Sequence, residues 1–85
     1  MTEQEWRYEF AFRLRKRMKR KGLNQRQLAD LADLSEVTLS RYINGLREPS
    51  SHIVYQLAKA LDCTVDELIA FDDMIESGKY YYNYM

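Results

Sequence analysis

Between Leu34 and Gly45 the sequence reads LSEVTLSRYING, and its polar residues recur at spacings that suit hydrogen bonding from one face of a helix. At about 100° per residue, positions 36, 37, 40 and 44 fall on one side of the wheel. Glu36 offers acceptors, Ser40 a hydroxyl, Asn44 an amide, and Val37 an apolar surface. That set complements the edges of base pairs in a major groove, with their amino donors, carbonyl and ring-nitrogen acceptors, and thymine methyl. A plainly solvated face would also carry Ser40 and Asn44. Glu36 has a local explanation too, since an acid in the first turn of a helix interacts favourably with its dipole. No other constellation competes. There is no Gly-rich phosphate loop, no nucleophile beside an orienting histidine, and no cluster of metal ligands, so neither enzyme, metal nor cofactor is expected. His52 has no partner at ligand spacing and reads as exposed. Cys63, at a helix end, reads as a small buried apolar residue.

The elements that must position this face are helices. Thr2 with Glu5 forms a capping box ahead of Trp6, Phe10, Leu14 and Met18, and Gly22 stops that helix after Lys21. Asn24 with Gln27 opens a second helix with Leu28, Ala29 and Ala32 on its apolar face. Ser35 caps a third, with Val37, Leu39, Tyr42 and Ile43 as apolar positions and Gly45 past its end. Pro49-Ser50-Ser51 begins a fourth, burying Val54, Leu57, Ala58 and Leu61. Thr64 with Glu67 begins a fifth through Val65, Leu68 and Ile69, extending towards Ser77 with Gly78 as its stop. No segment alternates like a strand, so the fold class is all-α, with five helices. The connection from Ala32 to Ser35 is so short that the second and third helices must cross steeply, as in a helix-turn-helix.

Composition agrees with one small domain. The chain has 85 residues, 46% hydrophobic and 31% charged, and formal net charge zero. Neutrality hides an asymmetry: Arg7 to Arg26 carries +8, and Asp62 to Glu76 carries −6. A polyanionic partner feels the local field, not the total. The basic run RLRKRMKRK reads mainly as a solvated helix face that raises this field; the opposite face is needed for the core, which argues against a membrane surface. With one cysteine, no membrane-length apolar run and no signal-peptide pattern, a cytoplasmic protein is expected.

The segment LNQRQLADLADLSEVTLSRYINGLREPSSHIVYQLAKALDCTVDELI, Leu23 to Ile69, resembles the helix-turn-helix domain of the lambda-repressor/Cro family, the Xre-type regulators. The resemblance is carried by Gln25, Leu28, Ala29, Ser35, Leu39, Ser40, Arg41, Asn44-Gly45, Pro49-Ser50, Leu57-Ala58, Ala60-Leu61 and Asp66-Glu67-Leu68. It implies a five-helix fold of that type and sequence-specific binding of double-stranded DNA by a transcriptional regulator of bacterial or phage origin. It further implies base contacts from Ser35, Glu36, Val37 and Ser40, and phosphate contacts from Gln25, Thr38, Arg41, Asn44 and Arg47. Leu39 and Tyr42 would pack inward.

The sequence departs from the family at two turns and one pair. Asp33 and Asp62 stand where the family usually has glycine, and both are expected to adopt a left-handed conformation, which Asp tolerates better than most residues. Many members pair an arginine at the position of Met18 with a glutamate at that of Ile43. Both ends are apolar here, which predicts a Met18–Ile43 contact in place of the ion pair.

The division expected is a helix-turn-helix domain over 1–77 and a Tyr-rich tail over 78–85. Apolar residues are dense near the end, and Phe71, Ile75, Tyr80 and Tyr82 are the candidate dimer contacts. The alternative is that the tail folds back over its own domain. A homodimer on a two-fold symmetric site is expected, with no small-molecule ligand evident. The competing functional reading is a protein-interaction module, antitoxin-like or scaffold, that uses the last helix and tail.

Overall fold

The computed structural model describes residues 2–69. Within them lie five helices and no strand: α1 (Glu3–Lys21), α2 (Gln25–Ala32), α3 (Glu36–Ile43), α4 (Ser51–Ala60) and α5 (Val65–Ile69). The extension of the fifth helix towards Ser77, the tail, and the candidate dimer contacts Phe71, Ile75, Tyr80 and Tyr82 lie outside the described residues.

Each helix begins where a side chain can accept from its free amides. Thr2 and Glu5 form a reciprocal box on α1, Asn24 and Gln27 another on α2, and Ser35 and Ser50 cap α3 and α4. At α5, Thr64 Oγ1 accepts from Glu67 N at 3.2 Å. In the first box the Thr2 backbone N–H, and then its hydroxyl, hold the Glu5 carboxyl below its ordinary value of 4.5.

The first four helices each end at or just before a left-handed residue. Gly22 has φ 69°, Asp33 57°, Gly45 68° and Asp62 53°. The aspartates thus adopt the expected conformation. At α3 the turn is closed by Gly45 N–H to Tyr42 O at 3.2 Å and Leu46 N–H to Arg41 O at 2.9 Å, which satisfies carbonyls that the helix cannot.

One apolar cluster holds the helices together. Phe10, Leu14, Leu28, Leu39, Leu57, Leu61 and Leu68 are fully buried, and each such side chain contributes about 1.5–3 kcal/mol relative to exposure. Trp6 stacks on Phe10 one turn away, with ring centroids 5.8 Å apart. Helix α1 packs on α3 and α5, α2 on α3 and α4, and α4 on α5. Met18 and Ile43 are both buried in this one cluster, so the two apolar side chains share a core. Val37 differs from the other apolar positions of α3: it is 63% exposed. Cys63 is half-buried rather than buried, and burial, then the nearby Glu67 charge, pushes its thiol above the ordinary 9.0.

Candidate nucleic-acid interface

The seat of α3 follows from its neighbours. Leu39, Tyr42 and Ile43 face the core, which turns Glu36, Val37, Ser40 and Arg41 outward. From α2, Gln25 Nε2 donates to Glu36 O at 3.1 Å across the helix-turn-helix. Gln25, Glu36, Val37, Ser40 and Arg41 then line one open hollow. Five of the nine candidate contact residues are therefore brought together. Ser35, Thr38, Asn44 and Arg47 are not part of that lining.

Hydrogen bonds already made restrict what each group can offer. Ser35 Oγ accepts from Thr38 N at 3.0 Å and donates to Thr38 Oγ1 at 2.8 Å. It keeps one lone pair and can only accept. Ser40 Oγ accepts from Asn44 Nδ2 at 3.2 Å, so its own proton is available to donate. Asn44 Nδ2 also donates to Ser40 O at 2.8 Å, so binding an anion through this nitrogen would require it to turn away from Ser40. Gln25 retains one N–H beyond the one given to Glu36 O. Arg41 and Arg47 are both exposed, Arg41 in the lining of the hollow and Arg47 in the segment after α3. His52 is exposed, as expected.

The basic run is less free than its sequence suggests. Arg13 pairs with Glu9 at 3.1 Å, Arg17 with Glu67 at 2.9 Å, and Lys21 with Asp62 at 3.6 Å. Arg7 and Arg15 turn towards the end of α3, where Arg15 Nη1 donates to Ile43 O at 2.6 Å and Arg7 Nε to Gly45 O at 3.2 Å. Sequence reasoning missed these two contacts. Backbone carbonyl acceptors carry no side-chain signal; only the spacing of eight, which puts both arginines on one side of α1, hints at a common target.

Two short helices joined by a tight turn, the second presenting a polar, exposed N-terminal half, define a helix-turn-helix unit. A family model for the helix-turn-helix matches residues 14–68. The chain is similar to the competence pilus inhibition repressor of Acinetobacter baylyi, with 34% identity over 59 residues, covering 69% of this chain and 54% of that protein. It thus spans about half the length of that curated relative. It is also similar to the crystal structure of the restriction-modification controller protein C.AhdI from Aeromonas hydrophila, with TM-score 0.68 and 37% identity over 71% of this chain and 91% of that one. The chain belongs to the helix-turn-helix family of the lambda-repressor/Xre type, a family of DNA-binding transcriptional regulators. No helix among the described residues is long and apolar enough to cross a membrane.

Proposed function

We propose that this protein binds double-stranded DNA sequence-specifically and regulates transcription, with α3 lying in the major groove. The observation that carries the reading is the shared hollow of Gln25, Glu36, Val37, Ser40 and Arg41: it holds three residues that this reading assigns to bases, Glu36, Val37 and Ser40, together with two that it assigns to phosphates, Gln25 and Arg41. The relatives, a repressor and a controller protein, support it.

The reading assigns chemistry to each group. Ser35, limited to accepting, suits an amino group of adenine or cytosine; Ser40, free to donate, suits guanine O6/N7 or thymine O4. Val37 meets a thymine methyl, and Glu36 accepts from cytosine N4. Gln25, Thr38, Arg41, Asn44 and Arg47 face phosphates, with Asn44 exchanging Ser40 for the anion. The domain runs over 1–77 and the tail over 78–85. Phe71, Ile75, Tyr80 and Tyr82 join two copies, placing two α3 helices about 34 Å apart on a two-fold symmetric site.

Selection of duplexes from a random pool, followed by affinity against salt, tests this. One enriched motif and a steep loss of affinity with rising salt are expected. No enriched motif at low salt would refute the reading and favour a protein-interaction module. Glu36→Gln removes a charge beside the phosphates, so non-specific affinity should rise while one base position of the motif relaxes. An unchanged motif in that variant would reduce Glu36 to a helix-start residue.

A further inference from the structure

Helix α1 reaches the C-terminal end of α3 at three points. Arg15 Nη1 donates to Ile43 O at 2.6 Å, and Arg7 Nε donates to Gly45 O at 3.2 Å. The ring of Tyr8 lies against Gly45, where a Cβ would come within 2.9 Å of Tyr8 Cε1 and closer still to Cδ1. Ile43 O is the last carbonyl of α3, where acceptors lack intrahelical donors and the dipole is negative, and Gly45 O lies two residues on, in the turn that stops the helix. A guanidinium answers both conditions at once, through a charge-assisted bond. The opposite end of α3 is held by the Ser35 cap and by Gln25 on Glu36 O. Both ends are therefore fixed, and the base-facing residues lie between them.

We propose that Arg7 and Arg15 are positioning residues: held off the DNA, they set the tilt of α3 from its C-terminal end and so determine which bases its N-terminal half prefers. The proposal rests on α3 being the reading helix. An eight-residue helix is about 12 Å long, so a small rotation at one end displaces the other by a sizeable part of an ångström. Hydrogen bonds to base edges tolerate only a few tenths of an ångström before they weaken. The family's usual side-chain ion pair between these helices is absent here, with Met18 and Ile43 buried in its place, and the arginines hold the backbone itself. This differs from a phosphate-binding role, which would put the same guanidinium on DNA.

Arg15→Met and Arg15→Lys in the full chain separate the possibilities, each with two readouts. Without DNA, hydrogen exchange at the amides of Asn44, Gly45 and Leu46 should quicken about tenfold in Arg15→Met relative to the amides of α4. Unchanged relative exchange would overturn the clamp. With the selected duplex, Arg15→Met should lose about tenfold in affinity for the motif, with non-specific affinity within about twofold of wild type and the same salt slope. Arg15→Lys, which keeps the charge but not the fork, should fall between. A salt slope reduced by about one would overturn the proposal by showing a direct phosphate contact. So would a lower melting temperature with an unchanged ratio of specific to non-specific affinity. If Arg15→Met does not fold, Arg15→Lys carries the same two criteria. A wild-type chain that enriches no motif removes the DNA reading, and the positioning role with it; the exchange measurement still decides separately whether Arg15 holds the end of α3.

Discussion

Gly22→Ala and Gly45→Ala form a matched pair. The two glycines have nearly the same φ, 69° and 68°, so an added Cβ meets the same left-handed penalty of about 1–2 kcal/mol. Their surroundings differ. A Cβ at Gly22 has nothing within 4 Å, whereas one at Gly45 overlaps the Tyr8 ring. Tyr8 can swing, being half exposed, but doing so breaks its hydroxyl contact with Gln4 Nε2 at 2.9 Å and displaces the ring from α3. Overpacking of this kind costs about 1–3 kcal/mol, and the mobility of the ring places the expected excess near 1 kcal/mol. Urea unfolding followed by far-ultraviolet circular dichroism should therefore show Gly45→Ala less stable than Gly22→Ala by about that amount. Tyr8→Ala in the Gly45→Ala background should remove the excess, giving a coupling of about 1 kcal/mol in the double-mutant cycle. Equal destabilisation at the two glycines, or an excess that survives removal of the ring, would refute the claim that α1 bears on the stop of α3.

Two further outcomes follow from the helix ends. Asp33→Gly relieves a left-handed non-glycine residue and should raise the unfolding free energy by about 0.5 kcal/mol once the greater freedom of glycine in the unfolded chain is subtracted, read as a higher urea midpoint at unchanged slope. The Cys63 thiol, held above its ordinary 9.0 by burial, ionises later in the folded chain than in the unfolded one. The unfolded chain loses that proton first, so stability from this group should fall as pH rises through 9.0. Alkylation at slightly alkaline pH should accordingly be slower in the folded chain than in urea; equal rates would contradict it.

The helices were legible because their boundaries are written locally. The boxes at Thr2–Glu5 and Asn24–Gln27 form as the sequence reads, and α1 buries Trp6, Phe10, Leu14 and Met18 at intervals of four. The left-handed turns at Asp33 and Asp62 were also readable, since Asp stands where the family places glycine. What the sequence withheld is tertiary. The run of basic residues counts as +8 along the chain, yet Arg13, Arg17 and Lys21 meet acids, and Arg17 and Lys21 find theirs on Glu67 and Asp62, far along the chain. Arg7 and Arg15 meet carbonyls, which every residue has and no sequence marks. The outward face of α3 was readable from its period, but not that Gln25 would already be bonded to Glu36 O or Ser35 to Thr38. Such bonds decide whether a polar group can still donate, accept, or both.

The pinning of α3 at both ends constrains how such a protein can diverge. Ser35 fixes where the helix starts and Gly45, under Tyr8, where it stops. Inserting one residue between them would rotate everything beyond it by about 100° and lift Leu39, Tyr42 or Ile43 out of the core. Substitution at Glu36 or Val37 disturbs neither end, and at Ser40 it removes only the side-chain contact from Asn44 Nδ2, which keeps its bond to Ser40 O. New surface chemistry on this helix is thus open to point changes and closed to changes in length, so a lineage can vary what α3 presents while every descendant keeps the same number of residues from serine to glycine.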